Sequence, residues 1–339
     1  MRKALLLLLI WAYTSLAGAA PVPSLDLGRL VWNSDIIAVG TIATVEFERD
    51  VTIDLASGST LPAREMRATL SVDQLLKGST SDRIFDIRFE DPELYIGYEG
   101  VRPGDFVVVF LKELETGYGF VSPYYPAITA FPGAQGRGSD AFSRVLNLLA
   151  DGLQMSPQLS VTMATLFAIR DIDHPIAINA LFAAANDSNP EVRLMAIDSL
   201  LSIDQVDALP MAEVILADTT PFKFSYNLFA LDNLRNSIAS RIRSEAAIPG
   251  LERLLQYPEV ETRRVAAFAL ARIESPLVVE PLMRALDDGD VEVRYSAMWG
   301  LAKTLEQRRL VTPLEIFRAD EQRFIAPLRL QGARALEAR

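Results

Sequence analysis

The sequence predicts a mixed chain, β followed by all-α: a small β-barrel or sandwich, then an α–α superhelix of stacked helix pairs. Two observations predict it. From Ile36 to about Ala130 the apolar residues recur with period two or in short β-branched runs, with Gly, Pro, Asp and Ser between them. After residue 140 the period becomes helical, and one helix-pair pattern returns three times at offsets of 70 and 31 residues.

The chain opens with Arg2 and Lys3, an apolar run from Ala4 to Tyr13, and the small residues Ala17, Gly18, Ala19 and Ala20. Charged start, short apolar core and an A-x-A site are the layout of a signal peptide, expected over residues 1–19 with cleavage after Ala19. The core is shorter than the roughly 20 residues of a spanning helix. No cysteine follows it, which closes the lipoprotein route. The remainder is expected to be periplasmic or secreted, with no integral membrane segment. Losing Arg2 and Lys3 takes the net charge from −11 to −13, a sign that repels phosphate backbones and argues against a nucleic-acid partner. With no cysteine there are no disulfides, so each domain must stand on its own core.

The β domain is expected over residues 24–133. Strands are read at Ile36 to Phe47, Met66 to Leu75, Arg83 to Phe89, Phe106 to Leu111 and Tyr118 to Val121. Ala68, Leu70 and Val72 alternate with Thr69, Ser71 and Asp73, which gives one buried and one wet face. Asp54 to Thr60 reads as a loop. Lys77-Gly78-Ser79 and Arg102-Pro103-Gly104-Asp105 carry turn chemistry. Five or six short strands in about 100 residues suit a compact barrel or sandwich.

The helical domain is expected over residues 140–339. Ile178-Asn-Ala-Leu181 aligns with Ile248-Pro-Gly-Leu251 and Val279-Glu-Pro-Leu282. The same offsets align Glu191, Arg193, Ala196 and Leu200 with Glu261, Arg263, Ala266 and Leu270, and with Glu292, Arg294, Ala297 and Leu301. The gap of 70 leaves room for a divergent copy, about Val206 to Ile242, with its second helix from Phe224 to Arg243. Extra helices are expected at Asp140 to Asp151 and Val161 to Arg170. In each second helix positions i, i+4, i+7, i+8 and i+11 are small or apolar, as in Val192, Ala196, Ser199, Leu200 and Ile203, the buried stripe of an amphipathic helix. Asn189 before Pro190 and Asp290 before Val291 are N-cap residues, and Glu191, Glu261 and Glu292 favour the helix dipole from the first turn. One pair cannot bury its apolar face alone, so neighbours must stack.

Two resemblances follow from these motifs. The helix pairs resemble HEAT repeats of the short bacterial kind, with an aspartate, then Val-Arg, then Ala-x-x-Ala-Leu. The resemblance covers about Ile176 to Leu305 and implies a curved solenoid whose second helices line the inner face. It also implies a structural ladder between repeats of Asp187, Arg193, Arg263, Asp288 and Arg294, with Tyr257 standing where the second copy's aspartate belongs. The segments Ser34 to Gly40, Ala68 to Gly78 and Pro103 to Leu111 resemble bacterial exported modules with an OB-like barrel, distantly similar to tissue metalloproteinase inhibitors. Those inhibitors ligate zinc through an amino-terminal cysteine, which this chain lacks.

The chemical inventory is sparse. His174 is the one histidine, it precedes Pro175, and a capping or surface role is expected of it. One His and no Cys leave a single chain without zinc sites built on those residues, Ser-His-Asp triads or cysteine nucleophiles. No glycine-rich phosphate cradle is present. No metal and no cofactor are expected, and no catalytic residue is assigned. The carboxylates Asp86, Glu90, Asp91 and Glu93, beside Tyr95 and Tyr98, would be the pair-bearing cluster of a glycan hydrolase or else solvated loop charge. Tyr124 and Tyr125 read as the packed exit of the β domain or a ligand platform. The column Asp198, Phe268, Trp299, with Leu194, Arg264 and Tyr295 one turn earlier, places aromatic and arginine side chains where HEAT repeats carry polar ones. Arg264, Phe268, Tyr295 and Trp299 are therefore the expected partner-binding patch, since interfaces favour such residues. The alternative is that the β domain or the tail from Glu315 to Arg339 covers them. The expected function is a non-enzymatic scaffold that binds another protein on the solenoid's inner face. The alternative is an inhibitor or regulator of an exported hydrolase acting through the β domain.

Overall fold

The computed structural model describes residues 25–54, 60–92, 100–122, 125–217 and 230–338. The expected leader, Glu93, Tyr95, Tyr98, Tyr124 and the start of the divergent second helix lie outside them. The chain forms two compact units: residues up to Ala130 with Gly138–Arg144, and Phe131–Arg137 with Val145–Arg339.

The first unit begins with a short helix, α1 (Leu27–Asn33), which the strand pattern did not disclose; Asp26 caps it by accepting from the Arg29 N–H at 2.9 Å. Six strands follow: β1 (Ile36–Asp54), β2 (Thr60–Lys77), β3 (Ile84–Pro92), β4 (Phe106–Glu113), β5 (Tyr118–Phe120) and β6 (Ala127–Thr129). β1 and β2 run well beyond the expected ends as one antiparallel ribbon, pairing out to Asp54 with Thr60. The polar residues Glu46, Arg49 and Glu65 mark that extension as a two-sided wet ribbon, where alternation gives no signal. β2 pairs β3, β3 runs parallel to β5, β5 pairs β4, and β4 returns to β1, so five strands close into a ring with β6 added beside β4.

The ring's interior is filled by Ile36, Ile42, Leu70, Phe85, Ile87 and Val109 among others. Ala68, Leu70 and Val72 point inward, and Ser71 and Asp73 are exposed, as the alternation requires. The motif segments are consumed by closure. Asp35 takes the Lys112 ammonium at 2.9 Å and the Glu113 N–H at 3.1 Å, which holds its carboxyl below the usual range, the Lys112 bond being the larger cause. Gly104, with φ +93°, turns the chain so that its N–H meets the Ile42 carbonyl at 2.8 Å. Gly40 sits at a register shift in β1, where a Cβ would lie 1.9 Å from the Ser71 carbonyl oxygen.

The second unit is a run of helices. α2 (Ala141–Met155) starts at the boundary, and α3 (Leu159–Ile169) follows. Next come the pairs α4 (Pro175–Ala184) with α5 (Pro190–Ser202), α6 (Leu209–Ala217) with α7 (Ala230–Arg241), α8 (Ile248–Leu254) with α9 (Val260–Arg272), and α10 (Val279–Ala285) with α11 (Val291–Thr304). Last are α12 (Leu314–Ala319) and α13 (Glu321–Glu337). Single 3-10 turns at Val206–Ala208, Glu245–Ala247 and Pro276–Val278 precede α6, α8 and α10, a device too short to show a period.

The second helices pack in succession, α5 on α7, α7 on α9, α9 on α11, and α13 covers α10 and α11. Ala196, Ala266 and Ala297, with Leu200, Leu270 and Leu301, are fully buried in this row, while Ile203 is half-buried. Asn189 accepts from the Glu191 N–H at 2.9 Å, and Asp290 from the Glu292 N–H at 3.0 Å and the Val293 N–H at 3.2 Å, as the caps require. His174 caps α4, its Nδ1 accepting from the Ile176 N–H at 3.2 Å.

Gly40 supplies a test of barrel closure. Gly40→Ala should cost the β unit about 1–3 kcal/mol, because backbone rather than a movable side chain blocks the added methyl. Gly28→Ala in α1, where a Cβ makes only an ordinary 3.4 Å contact, should not destabilise it. Urea denaturation of both variants checks this; equal midpoints would show that β1 and β2 can separate without cost at Gly40.

Candidate functional site

The row of second helices presents two kinds of side chain beyond its buried stripe: ion pairs at the helix starts, and an aromatic and cationic strip toward the helix ends. At the starts, Arg263 grips Asp288 of the next pair through Nε at 2.8 Å and Nη2 at 3.2 Å, while its Nη1 donates to the Tyr257 and Pro258 carbonyls, each at 3.0 Å. Arg294 does the same with Glu321, at 2.8 and 2.7 Å, and with the Asp288 carbonyl at 2.7 Å. Each arginine thus closes its own turn and ties it to the next.

Among the described residues Asp187 and Arg193 act within their own turn, and Asp218, which stands at the corresponding spacing from Arg193, lies outside those residues. Arg193 donates to the carbonyls of Asp187 and Ser188, and the Asp187 carboxylate turns to the Asn189 N–H at 2.7 Å. The preceding second helix offers Thr162, not arginine, at the spacing that joins Arg263 to Asp288. Where Tyr257 replaces the aspartate, its hydroxyl donates to the Glu213 carbonyl at 2.9 Å, joining α8 and α9 back to α6 by another route.

The four residues of the expected patch divide. Arg264 is occupied: it holds Asp290 at 2.9 and 2.7 Å, with Glu261 at 3.1 Å and Glu292 at 3.5 Å around it. Those contacts, the Asp290 hydrogen bond first, raise its pKa. They press the Asp290 carboxyl down to about 2, again chiefly through Arg264 and against burial. Tyr295 is turned to the C-terminal segment, its hydroxyl donating to the Thr312 carbonyl at 2.8 Å and its ring 5.5 Å from Phe317. The C-terminal segment thus engages one of the four. Phe268 remains open at 40% exposure, with the Arg272 guanidinium 5.5 Å over its ring. Trp299, half-buried, lines an open cleft of about 680 Å³ together with Arg243, Glu245, Arg272, Glu274 and Lys303. The column's first member, Asp198, is closed off by the Ser237 hydroxyl at 2.6 Å, and burial pushes its carboxyl up despite that bond.

Arg243, Arg272 and Lys303 escaped the sequence reading. A signal was present for two of them: Arg272 and Lys303 recur with Arg241 at intervals of 31 residues, while Arg243 stands outside that register.

Elsewhere, two members of the carboxylate cluster are engaged. Asp86 pairs with Arg67 and Asp91 with Arg64 across the β2–β3 ladder, each at 2.8 Å, which makes them cross-strand ion pairs. Among the described residues no group of three or more His, Asp or Glu side chains could hold a metal, and no helix is long and apolar enough to cross a membrane.

The family model for HEAT repeats matches residues 146–223 and 248–336. The C-terminal half is built of HEAT repeats. Curated proteins give no match. Among solved structures, the chain is similar to a designed armadillo repeat protein in complex with the peptide (KR)4, at 19% identity over 56% of this chain and 97% of that one, TM-score 0.33. It is also similar to a computationally designed armadillo repeat protein for modular peptide recognition, at 19% identity over 56% and 99%, TM-score 0.31.

Within the HEAT repeats, Asp290 offers a measurable linkage. Its folded pKa of about 2 lies below the ordinary 3.8, so it adds stability above that ordinary value, lost as pH falls from about 3.8 to 2. Asp290→Asn keeps a good cap but loses the charge on Arg264, and should cost about 1–2 kcal/mol at pH 7 and little at pH 2. Thermal melts across that range check it; a difference that does not shrink with acid would place the cost elsewhere.

Proposed function

We propose that this chain is a non-enzymatic scaffold, exported across a membrane, that holds another protein on the face formed by the second helices of its HEAT repeats. One observation carries the reading: beside the fully buried row of Ala266, Leu270, Ala297 and Leu301, Phe268 stays open and Trp299 lines a cleft, while Tyr295 is taken up by the C-terminal segment. Exposed aromatic and arginine side chains grouped on a rigid element are what protein interfaces use. The leader-like start of the sequence supports export. Arg264 and Tyr295 belong to this site as supports, fixing the helices on which Phe268 and Trp299 stand.

The test is a capture experiment with the full-length protein as bait in its native host, comparing wild type with Phe268→Ala/Trp299→Ala. The double variant should lose at least about 90% of a saturable partner, the scale expected when hot-spot residues worth about 1–2 kcal/mol each are truncated. Its helicity and melting temperature should stay near wild type. A partner retained at wild-type level would sink the reading; unfolding would mean the rings are core, at about 3–5 kcal/mol each.

A second reading has its own support. The closed order β1-β2-β3-β5-β4, with β3 and β5 parallel, suits an OB-like barrel, and Trp32 of α1 is 84% exposed. An inhibitor or regulator of an exported hydrolase would act there. Titrating the full-length chain against exported proteases checks this: inhibition should survive the double substitution in the repeats and weaken about tenfold with Trp32→Ala. Full activity at every ratio of chain to protease would remove it.

A further inference from the structure

The chain is strongly acidic, with 44 carboxylates against 33 Lys and Arg. Most of the cations along the second helices are therefore neutralised: Arg235 by Glu259, Arg263 by Asp288, Arg264 by Asp290 and Arg294 by Glu321. Arg272 is different. Among the described residues it has no ion pair, its Nε is buried without a hydrogen-bond partner, and its guanidinium, which lines the cleft, lies over the open ring of Phe268 beside it. Arg243, across the cleft, donates its guanidinium hydrogens to the carbonyls of Ile242 and Ser240 and its backbone N–H to the Asp204 carboxylate at 3.0 Å, and among the described residues its guanidinium has no ion pair. Burial first, then the charges of Arg272 and Arg241, lower its pKa, so the cations crowd one another. Lys303 has one partner, Glu274, whose side chain is 82% exposed and easily exchanged.

Arg241, Arg272 and Lys303 each stand in the last turn of a second helix, where the helix dipole favours a cation. That half charge accounts for the residue type. It leaves most of a guanidinium's five donors unused.

We propose that this cleft takes an extended acidic segment of the partner, its carboxylates meeting Arg272 and the neighbouring cations while the residues between them lie on Phe268 and Trp299. The proposal rests on the scaffold reading and names the chemistry of what is held. Helices packed through alanine and glycine stand about 8–10 Å apart, and an extended chain advances about 3.3 Å per residue. Carboxylates three residues apart therefore match cations on successive helices. A short acidic segment fits better than a polyphosphate, because a long polyanion would be repelled by the rest of a chain of net charge −11. The apolar ring beside each cation, Phe268 by Arg272 and Trp299 by Lys303, also favours carboxylates interleaved with aliphatic side chains.

The test uses the full-length protein and fluorescein-labelled nonapeptides of repeating Glu-Leu-Ser, Gln-Leu-Ser and Lys-Leu-Ser, with a labelled oligothymidylate beside them, read by fluorescence anisotropy. The glutamate peptide should bind, weaken as salt is raised, and lose about tenfold or more in affinity with Arg272→Glu and less with Arg272→Gln. Circular dichroism of both variants guards against misfolding, and the glutamine variant keeps the test open if the reversal unfolds. Preference for the lysine or glutamine peptide, or equal binding of the oligothymidylate, overturns the acidic assignment. Binding of the glutamine peptide that depends on Phe268 and Trp299 overturns it while leaving the scaffold reading intact. Absence of any peptide binding also overturns it, and the capture experiment then judges the scaffold separately. Self-association of the chain abolished by Arg272→Glu, with no peptide binding, would assign the cleft to a second copy instead.

Discussion

The second helices of the repeat unit meet through residues with almost no side chain, and this close approach governs what the rest of the unit can do. A Cβ added at Gly300 would fall 2.7 Å from the Cα of Ala271 and as close to Leu282. With Ala266 and Ala297 buried in the same row, backbones come near enough that a side chain on one helix lies beside its equivalent on the next. The sequence period thereby becomes a spatial period. Residues 31 apart become neighbours, and a ladder or a strip can exist only because of it.

That spacing is used in two opposite ways. Toward the helix starts, arginine finds a carboxylate from the following element, and Arg263, Arg264 and Arg294 are each held bidentately. The pairs are partly buried, so solvent screens them less than surface pairs, and they also take up turn carbonyls that would otherwise lack donors. Toward the helix ends the same spacing aligns Arg272 with Lys303 and Phe268 with Trp299, and of the cleft's two carboxylates, Glu245 and Glu274, among the described residues neither pairs with Arg272. Carboxylates are committed to their arginines at one edge of the row, while at the other Glu274 goes to Lys303 and Arg272 keeps its charge unmatched among the described residues.

Much of this fold could be read in the residues. Repeated spacing disclosed the helix pairs because stacking forces the same small and apolar residues into the same places, and Asn189 and Asp290 announced their caps because few residue types can accept from a free N–H there. The barrel interior was visible in Ala68, Leu70 and Val72. Helix α1, strand β6 and the 3-10 turns were hidden, being too short to complete a period. The far halves of β1 and β2 were hidden too, because a ribbon wet on both faces imposes no alternation. At the site, Phe268 and Trp299 stood out as apolar residues in a polar column. The engagement of Arg264 and Tyr295 did not, since it depends on Asp290 and Phe317, brought close only by the stack and by the tail folding back.

The motif-bearing segments of the β unit lead to a related point about where function can sit. Asp35, Gly40 and Gly104, the residues that gave those segments their distinctive look, are each consumed in closing the ring: one anchors β1 to β4, one admits β2 to contact distance, one turns the chain into β4. A residue fully engaged in closure has no donor or acceptor left to offer a ligand. The same rule applied to the repeats selects against the arginines of the ladder, however regular their spacing, and in favour of Arg272, which among the described residues holds no carboxylate. Repetition alone therefore marks architecture, and repetition with an unmet hydrogen-bonding demand marks the surface on which a partner can be bound.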